Sequence, residues 1–401
     1  MKKMKRTIYI DRWMLLLLTV LLFAACQSSR EEEPEPPLPE EDCYLDIYVY
    51  APDRPIVTRG DVGEITPIDG ESKVTSLKIW VFRHGAAESA TAVGYLNPDP
   101  TFLNQTGQQK YQMLLDKAFA NNPEPVDVYV VANEASAGLT TLGESSTRSD
   151  LNNARMSSSS FGVSANYTDA AVVKTVPDGG LPMSAVLRNQ PVSGKFPALR
   201  VGSETEMATL QLTRAVSKLR FVFCRITEKD TSTKKLTSIG GITLTGSQIP
   251  TTSYLVQPSG TYTYTSTGYD ETAVSYGGVA KNDIPEVKNP LIYAYETQDA
   301  QNYEDMIDDA INAGDLKQVG LTYLRESDKQ LKGTIKYTVS NETEQQEANF
   351  MMAAPGDFLR NHSWIVYVYF MDSKIHTLTV TNIGMKKWIE DYPDPNTVYN
   401  W

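Results

Sequence analysis

The sequence is poor in the residues that most catalytic and metal sites need. Only 3 histidines and 3 cysteines occur among 401 residues, and no two of the histidines share a metal-ligand spacing. The zinc-protease motif H-E-x-x-H, the hydrolase motif G-x-S-x-G, the P-loop, the dinucleotide-binding G-x-G-x-x-G and the EF-hand loop are missing. We therefore expect no enzyme, no cofactor and no metal. A glycosidase is the enzyme class least excluded, because two distant carboxylates suffice.

Positive charge and cysteine pairs are also scarce. The net charge is −12 and the pI about 4.9, which argues against nucleic acid as a partner. Apart from Cys26 in the leader, the cysteines are Cys43 and Cys224. An exported protein could join them, but nothing in the sequence requires a disulfide and we expect none.

The longest apolar run, residues 13–25, is too short to span a bilayer. It follows four basic residues among the first six and ends at Ala24-Ala25-Cys26. This pattern predicts a signal peptide over residues 1–25, and the junction resembles the lipobox of bacterial lipoproteins. Cys26 is then the acylated residue and the link to outer-membrane lipid. A plain signal peptide with a chance cysteine is the alternative.

An acidic, proline-rich segment follows the leader. Residues 27–42 contain seven acidic residues and four prolines. Such a segment cannot bury apolar surface, so residues 26–43 are predicted to be an extended tether. The acidic run also resembles the surface-export signal of Bacteroidetes lipoproteins, although a solvated linker explains it equally.

The first strand signal is "YLDIYVY", residues 44–50. Leu45, Ile47 and Val49 alternate with polar and aromatic residues, which predicts a strand with one buried face. The next stretch, "RPIVTRGDVGE", spans Arg54–Glu64. It has three interpretations: an integrin-binding Arg-Gly-Asp tripeptide, a loop open to an arginine-specific protease, or an ordinary turn.

The rest of the chain is a series of strand patterns separated by turn residues at intervals of about 8–20 residues. We predict an all-β fold with two β-sandwich domains in tandem, over residues 44–205 and 206–401. A long strand is predicted over 206–226, and "YQMLLDKAF" is left as strand or helix. One short helix is expected at "YEDMIDDAINAG", capped by Gly314, and a single helical turn at "SDLNNARM".

Two polar motifs are assigned to the fold and not to catalysis. Arg214 and Lys218 share one face of the predicted strand, and we place that face in solvent. In the stretch "LRNH", Asn361 is expected to bond its own backbone in a turn and Arg360 to pair with a carboxylate.

Four stretches of sequence, taken in order, match a known pattern. They are "VDVYVVANEAS", "LQLTRAVSKLRF", "PLIYAYET" and "GDFLRNHSWIVYVYF". With the lipoprotein leader and a tail that ends in aromatic residues, the chain resembles the Bacteroidales fimbrillins, the FimA/Mfa-type pilins. The resemblance covers nearly the whole chain.

The resemblance implies two transthyretin-like Greek-key sandwiches and assembly into a fimbria. An arginine-specific protease removes the lipidated segment with the first strand, and the C-terminus of another subunit fills the groove. In this chain the removable strand is 44–50, with Leu45, Ile47 and Val49, and the processing loop is 51–64. Arg59 is the preferred cut site and Arg54, which precedes Pro55, the second choice. The donor tail is 389–401, with Val398, Tyr399 and Trp401 as its strand residues.

The resemblance also implies the partners and location. The partners are other pilin subunits, outer-membrane lipid before processing, and a receptor on a host or bacterial surface; the location is the outer membrane and the fimbrium. An uncut loop remains an alternative, because an anchor subunit keeps its lipid. The competing hypothesis is a surface lipoprotein that never polymerises and binds glycan or a host ligand; its aromatics Trp80, Trp364, Trp388 and Trp401 would form the sugar platform.

Overall fold

The computed structural model describes residues 42–52, 71–115, 119, 123–157, 176, 178–195, 197–227, 234–258, 268–269, 271, 274–288, 303–353, 355–381 and 399–400. All of these except Asp42 belong to one compact unit, Cys43–Trp401. The predicted signal peptide and most of the tether lie outside the described residues. No helix within the described ranges is long and apolar enough to cross a membrane.

Strands dominate the first half of this unit. They are β1 (Tyr44–Tyr50), β2 (Leu77–Arg83), β3 (Gly94–Leu96), β4 (Gln108–Leu114), β5 (Val126–Ala132), β6 (Arg155–Ser157), β7 (Met183–Gln190), β8 (Val192–Lys195), β9 (Ala198–Val201), β10 (Thr209–Gln211) and β11 (Thr213–Arg214). The helices are α1 (Thr101–Thr106) and α2 (Arg148–Asn152), with a 3-10 turn at Glu134–Ala137.

The second half has the same character. Its strands are β12 (Val216–Ile226), β13 (Leu236–Leu244), β14 (Thr252–Tyr254), β15 (Val274–Tyr276), β16 (Val279–Ala280), β17 (Glu286–Val287), β18 (Lys317–Arg325), β19 (Leu331–Val339), β20 (Gln346–Ala353), β21 (Ser363–Met371), β22 (Lys374–Thr381) and β23 (Tyr399–Asn400). A helix, α3 (Tyr303–Ala313), and a 3-10 turn, Lys281–Asp283, complete it.

Two sheets share one core in the first half. One has the order β10-β1-β9-β8, with β4 also paired to β1, and the other has the order β11-β7-β5-β2-β3. Their apolar residues form a single buried cluster, to which Ile47 contributes from the first sheet and Ile79 and Val128 from the second. Burial of the inner face of each sheet against the other is the main source of stability in a sandwich.

A second pair of sheets follows, and β12 is a central strand of one of them. One sheet runs β17-β12-β21-β22-β23 with β18 also on β12, and the other runs β15-β13-β19-β20 with β16 also on β13. Alternate residues of β12 enter different clusters: Phe221 faces the sandwich core, and Val222 lies with Ile307 of helix α3. Both faces of β12 are therefore covered. A two-stranded sheet of β6 and β14 joins the halves.

The prediction of an all-β fold is confirmed, and so is the helix near its predicted site. Helix α3 ends at Ala313, and Gly314 has a φ of +83°, the left-handed conformation of a capping glycine. The expected helical turn is α2. The described residues include one more short helix than the one or two predicted, α1, and the first four residues of the ambiguous stretch, "YQML", are part of strand β4.

The prediction of one long strand over 206–226 is wrong. The chain pairs with β1 as β10, crosses to the facing sheet as β11, and enters the second half as β12. The breaks fall at Leu212 and Ala215. The N–H group of Leu212 donates to Tyr50 O at 2.9 Å, and that of Ala215 donates to Pro182 O at 2.8 Å. Sheet membership therefore changes twice, at Leu212 and again at Ala215.

A buried ion pair holds the loop before β21. Arg360 Nε lies 2.9 Å from Glu326 Oε1, and Nη1 donates to Leu255 O at 3.0 Å. Both charged side chains are buried. The expected carboxylate partner of Arg360 is confirmed. Asn361 adopts a left-handed φ of +58°, and its Oδ1 accepts from Arg214 Nη1 at 3.3 Å. The turn thus bonds to a distant strand.

Replacing Arg360 by Met should lower the free energy of unfolding by about 3–5 kcal/mol, because it leaves the Glu326 carboxylate buried without its cation. Urea unfolding measures the change. The matched control is Lys336→Met, which removes a pair with Glu347 in which both side chains are half exposed. That change should stay within about 0.5 kcal/mol, and equal losses in the two variants would contradict the assignment.

Candidate strand-exchange site

Strand β1 lies inside its sheet, with a neighbour on each side. It pairs antiparallel with β4 along its full length, from Tyr44–Leu114 to Tyr50–Gln108. On the other side it runs parallel to β9 at its start and to β10 at its end. The predicted bounds of this strand, 44–50, are those observed. Its backbone is therefore satisfied by three separate strands.

The inward face of β1 fills three closed positions. Leu45, Ile47 and Val49 are each 0% exposed. Leu45 is flanked along the sheet by Met113 and Leu199, Ile47 by Tyr111, and Val49 by Leu210 and Gln109. Cross-strand neighbours on one face are in side-chain contact. We refer to the space that β1 fills, bounded by β4, β9 and β10, as the β1 slot.

Main-chain hydrogen bonds also fix the two ends of β1. Tyr44 N donates to Pro197 O and Ala51 N to Gly107 O, each at 2.9 Å. Cys43 O and Tyr50 O accept from residues that follow β4 and β10, also at 2.9 Å. These bonds align the strand along the whole slot.

The outward face of β1 is half exposed and polar. Asp46 Oδ1 accepts a hydrogen bond from Gln112 Nε2 at 3.1 Å, and its Oδ2 lies 3.8 Å from Lys110 Nζ. Both partners belong to β4. This face contributes pairing specificity, while the buried face contributes most of the apolar burial.

The residues directly after the predicted processing loop are held by a buried charged cluster. Glu71 is 2% exposed, and its carboxylate accepts from Tyr323 Oη at 2.5 Å and lies 3.3 Å from Lys218 Nζ. Arg214 Nε donates to Glu71 O at 3.0 Å and Nη2 to Ser72 Oγ at 3.3 Å. We call these residues the Glu71 clamp.

The clamp corrects one sequence prediction. Arg214 and Lys218 were expected to face solvent, but they are 1% and 5% exposed. The period-2 pattern placed them on one face correctly, yet that face meets the start of β2 and the strand β18. A strand with both faces covered shows no polar side to solvent. Glu71 and Tyr323 carried no sequence signal, because they lie far apart in the chain.

Burial also changes the acidity of the clamp hydroxyl. Desolvation, and then the charge and hydrogen bond of Glu71, raise the pKa of Tyr323 far above its ordinary value. The phenol therefore stays protonated at neutral pH and donates its hydrogen bond to the Glu71 side chain. The Glu71 clamp is therefore a structural contact held by a fixed hydrogen bond, and not an acid–base pair.

Several predicted site residues lie outside the described residues. They are Cys26, Arg54, Arg59, Val398 and Trp401. Tyr399 is described: it pairs with Thr379, and Asn400 pairs with Leu378, so β23 lies on β22 of its own chain. The structure therefore brings together the three slot residues of β1 but places Tyr399 in a different sheet.

Among the described residues, the other candidate groups form no second site. Trp80 and Trp364 are 0% and 2% exposed, so neither offers a surface for a sugar ring. Cys43 and Cys224 are buried free thiols, and burial raises the pKa of Cys224 to about 12. Over the described part of the chain, no group of three or more His, Cys, Asp or Glu side chains could hold a metal ion.

No family model matches the sequence, and no curated protein matches it. Solved structures do resemble the fold. The tip fimbrial protein Mfa3 from Porphyromonas gingivalis, truncated at its C-terminus, is 14% identical, and the match covers 85% of this chain and 99% of that one with a TM-score of 0.45. A putative cell adhesion protein from Parabacteroides distasonis is 14% identical over 87% and 100% of the two chains, with a TM-score of 0.48.

The fimbrial anchor protein Mfa2 from Porphyromonas gingivalis is a further neighbour. It is 11% identical over 85% of this chain and 98% of that one, with a TM-score of 0.35.

The β1 slot predicts a large difference between the two faces of the strand. Ile47→Ala should lower the free energy of unfolding of the uncut chain by about 2–5 kcal/mol, because it opens a cavity in a closed position. Asp46→Ala, which removes one partly exposed ion pair, should change it by less than about 1 kcal/mol. Chemical denaturation measures the free energy of unfolding of both variants. A small loss for Ile47→Ala would mean that the side chains around the slot move easily to close the cavity.

Two tyrosine hydroxyls test the clamp. Tyr323→Phe should cost about 1.5–3 kcal/mol of unfolding free energy, because it removes a hydrogen bond to a buried carboxylate. Tyr111 is its matched control, since its hydroxyl is buried and has no hydrogen-bond partner among the described residues. Tyr111→Phe should be neutral or stabilising. If the two changes have the same effect on thermal unfolding, Glu71 is not held in the way described.

Proposed function

We propose that this chain is a structural subunit of a cell-surface fimbria that is assembled by strand exchange and supports adhesion. In this proposal Cys26 anchors the exported precursor in the outer membrane by its lipid. An arginine-specific protease then cuts after Arg59, and the segment that carries β1 leaves. A strand from another subunit takes its place in the β1 slot.

The observation that carries the proposal is the position of β1. It is bonded on both sides and buries three aliphatic side chains completely, yet it stands at the start of the compact unit. Its removal would leave the facing edges of β4, β9 and β10 without partners and would open three apolar positions. Dry, unpaired main-chain groups are costly, so an added strand restores both hydrogen bonds and burial.

The Glu71 clamp supports the location of the cut. Arg59 precedes the clamp and follows β1, so a break there separates β1 from the rest of the fold. Glu71 and Ser72 stay bonded to Arg214 on the downstream side. The new N-terminus at Gly60 would then be followed, eleven residues later, by a residue fixed in the core. The four sequence motifs, which resemble those of pilins, supply the biological setting.

Cleavage and exchange can be measured on the purified chain that starts at Gln27. We expect an arginine-specific protease to produce a new N-terminus at Gly60, and the cut protein to take up a labelled peptide of residues 42–52. The variant Arg59→Ala should remain intact at this bond and take up no peptide, and Arg54→Ala should behave like the wild-type chain. Peptide uptake is read by fluorescence anisotropy and native mass spectrometry.

Two results would count against the proposal. One is a cut protein that releases β1 but does not accept the 42–52 peptide, because the slot is then not reusable. The other is resistance of the Arg59 bond under conditions in which other exposed arginines are cleaved. A peptide carrying Ile47→Asp, which buries a charge in the central position, serves as the non-binding control.

A further inference from the structure

The β1 slot selects side chains by size and polarity. Its three buried positions hold Leu45, Ile47 and Val49, none of them exposed. The wall beside Leu45 is closely packed, because Met113 lies directly on β3. A methyl group added at Gly94 would lie only 2.5 Å from Met113 Sδ. Close-packed positions of this kind tolerate aliphatic exchange but not larger groups.

The tail of this chain does not have the pattern that the slot requires. A strand that fills the slot must present aliphatic residues at three alternate positions. From residue 383 to Trp401, every set of three alternate residues includes a proline, a charged residue, an amide or an aromatic ring. The strand-forming end, "NTVYNW", offers either Thr397, Tyr399 and Trp401 or, in the other phase, Asn396, Val398 and Asn400.

Each phase meets a specific physical obstacle. In the first, Tyr399 and Trp401 would enter positions sized for isoleucine and valine or leucine, which overpacks the core. In the second, two amides would be buried, and the one at the Leu45 position would lie between the apolar residues Met113 and Leu199. Sliding the tail by two residues places Pro395 in the strand, and proline cannot donate a ladder hydrogen bond.

The structure places the end of the tail elsewhere. Tyr399 and Asn400 pair with Thr379 and Leu378 on the edge of β22, in a sheet of the second half. The aromatic end therefore has a pairing site on its own chain that does not demand three buried aliphatic residues.

We propose that the β1 slot of this chain is filled by a strand of a different subunit, one with aliphatic residues at three alternate positions, and that the chain does not polymerise with itself. This inference rests on the proposed function, because it requires a slot that empties. It adds the partner: a heterologous pilin end and not a second copy of this chain.

Competition for the slot of the Arg59-cut protein tests the partner. The probes are the 42–52 peptide, the native tail peptide 390–401, and the same tail with Thr397→Leu, Tyr399→Ile and Trp401→Val. We expect the aliphatic tail to bind at least about tenfold more tightly than the native tail and to compete with the 42–52 peptide. In the cut full-length chain, the same triple variant should assemble into ladders while the wild type stays monomeric by size-exclusion chromatography.

The outcomes separate this inference from the proposed function. If the cut protein does not bind even the 42–52 peptide, strand exchange itself is wrong and the inference falls with it. If the native tail binds as well as the 42–52 peptide, or the cut wild-type chain forms ladders, exchange stands but the heterologous partner is wrong. If the 42–52 peptide binds and neither tail does, side-chain size does not decide the fit and the inference is also wrong.

Discussion

A strand that is hydrogen-bonded on both sides leaves two unpaired edges when it is removed from a sheet, and this loss is costly unless another strand replaces it. Strand β1 is in this position, because β4 pairs with its whole length and β9 and β10 share the opposite edge. Its main-chain bonds would fit many sequences, but its three buried side chains fit few. The backbone therefore provides affinity for a replacement, and the aliphatic positions provide selectivity. The rest of the proposed function follows from this division.

The Glu71 clamp makes such an exchange compatible with a stable fold. Charged residues at 1–5% exposure are expensive to bury, and they are retained only where each has a partner. Here Arg214 of β11 donates to the backbone of Glu71, and Lys218 of β12 in the second half lies 3.3 Å from its carboxylate. The clamp therefore joins the halves of the compact unit through residues on the side of the loop that would remain after a cut.

The sequence was sufficient for local structure and insufficient for long-range contacts. The alternation of Leu45, Ile47 and Val49 predicted β1 with its observed bounds, and helix α3 was predicted close to its observed bounds. Periodicity states which residues share a face, but not what covers that face, so Arg214 and Lys218 were placed in solvent. The crossing between sheets at Leu212 and Ala215 was also missed, because an interrupted strand has the same residue pattern as a continuous one.

Control over self-association is the last consequence of a selective slot. An open groove with unpaired edges invites any extended chain, including the tail of an identical molecule, and head-to-tail contacts between copies extend without limit. A tail that ends in Tyr399, Asn400 and Trp401 and a slot built for leucine, isoleucine and valine exclude one another by size and polarity. With such a mismatch, this subunit could accept a strand from another subunit but could not donate its own tail to a slot of the same kind. A few buried side chains would then determine the order of subunits along an assembly.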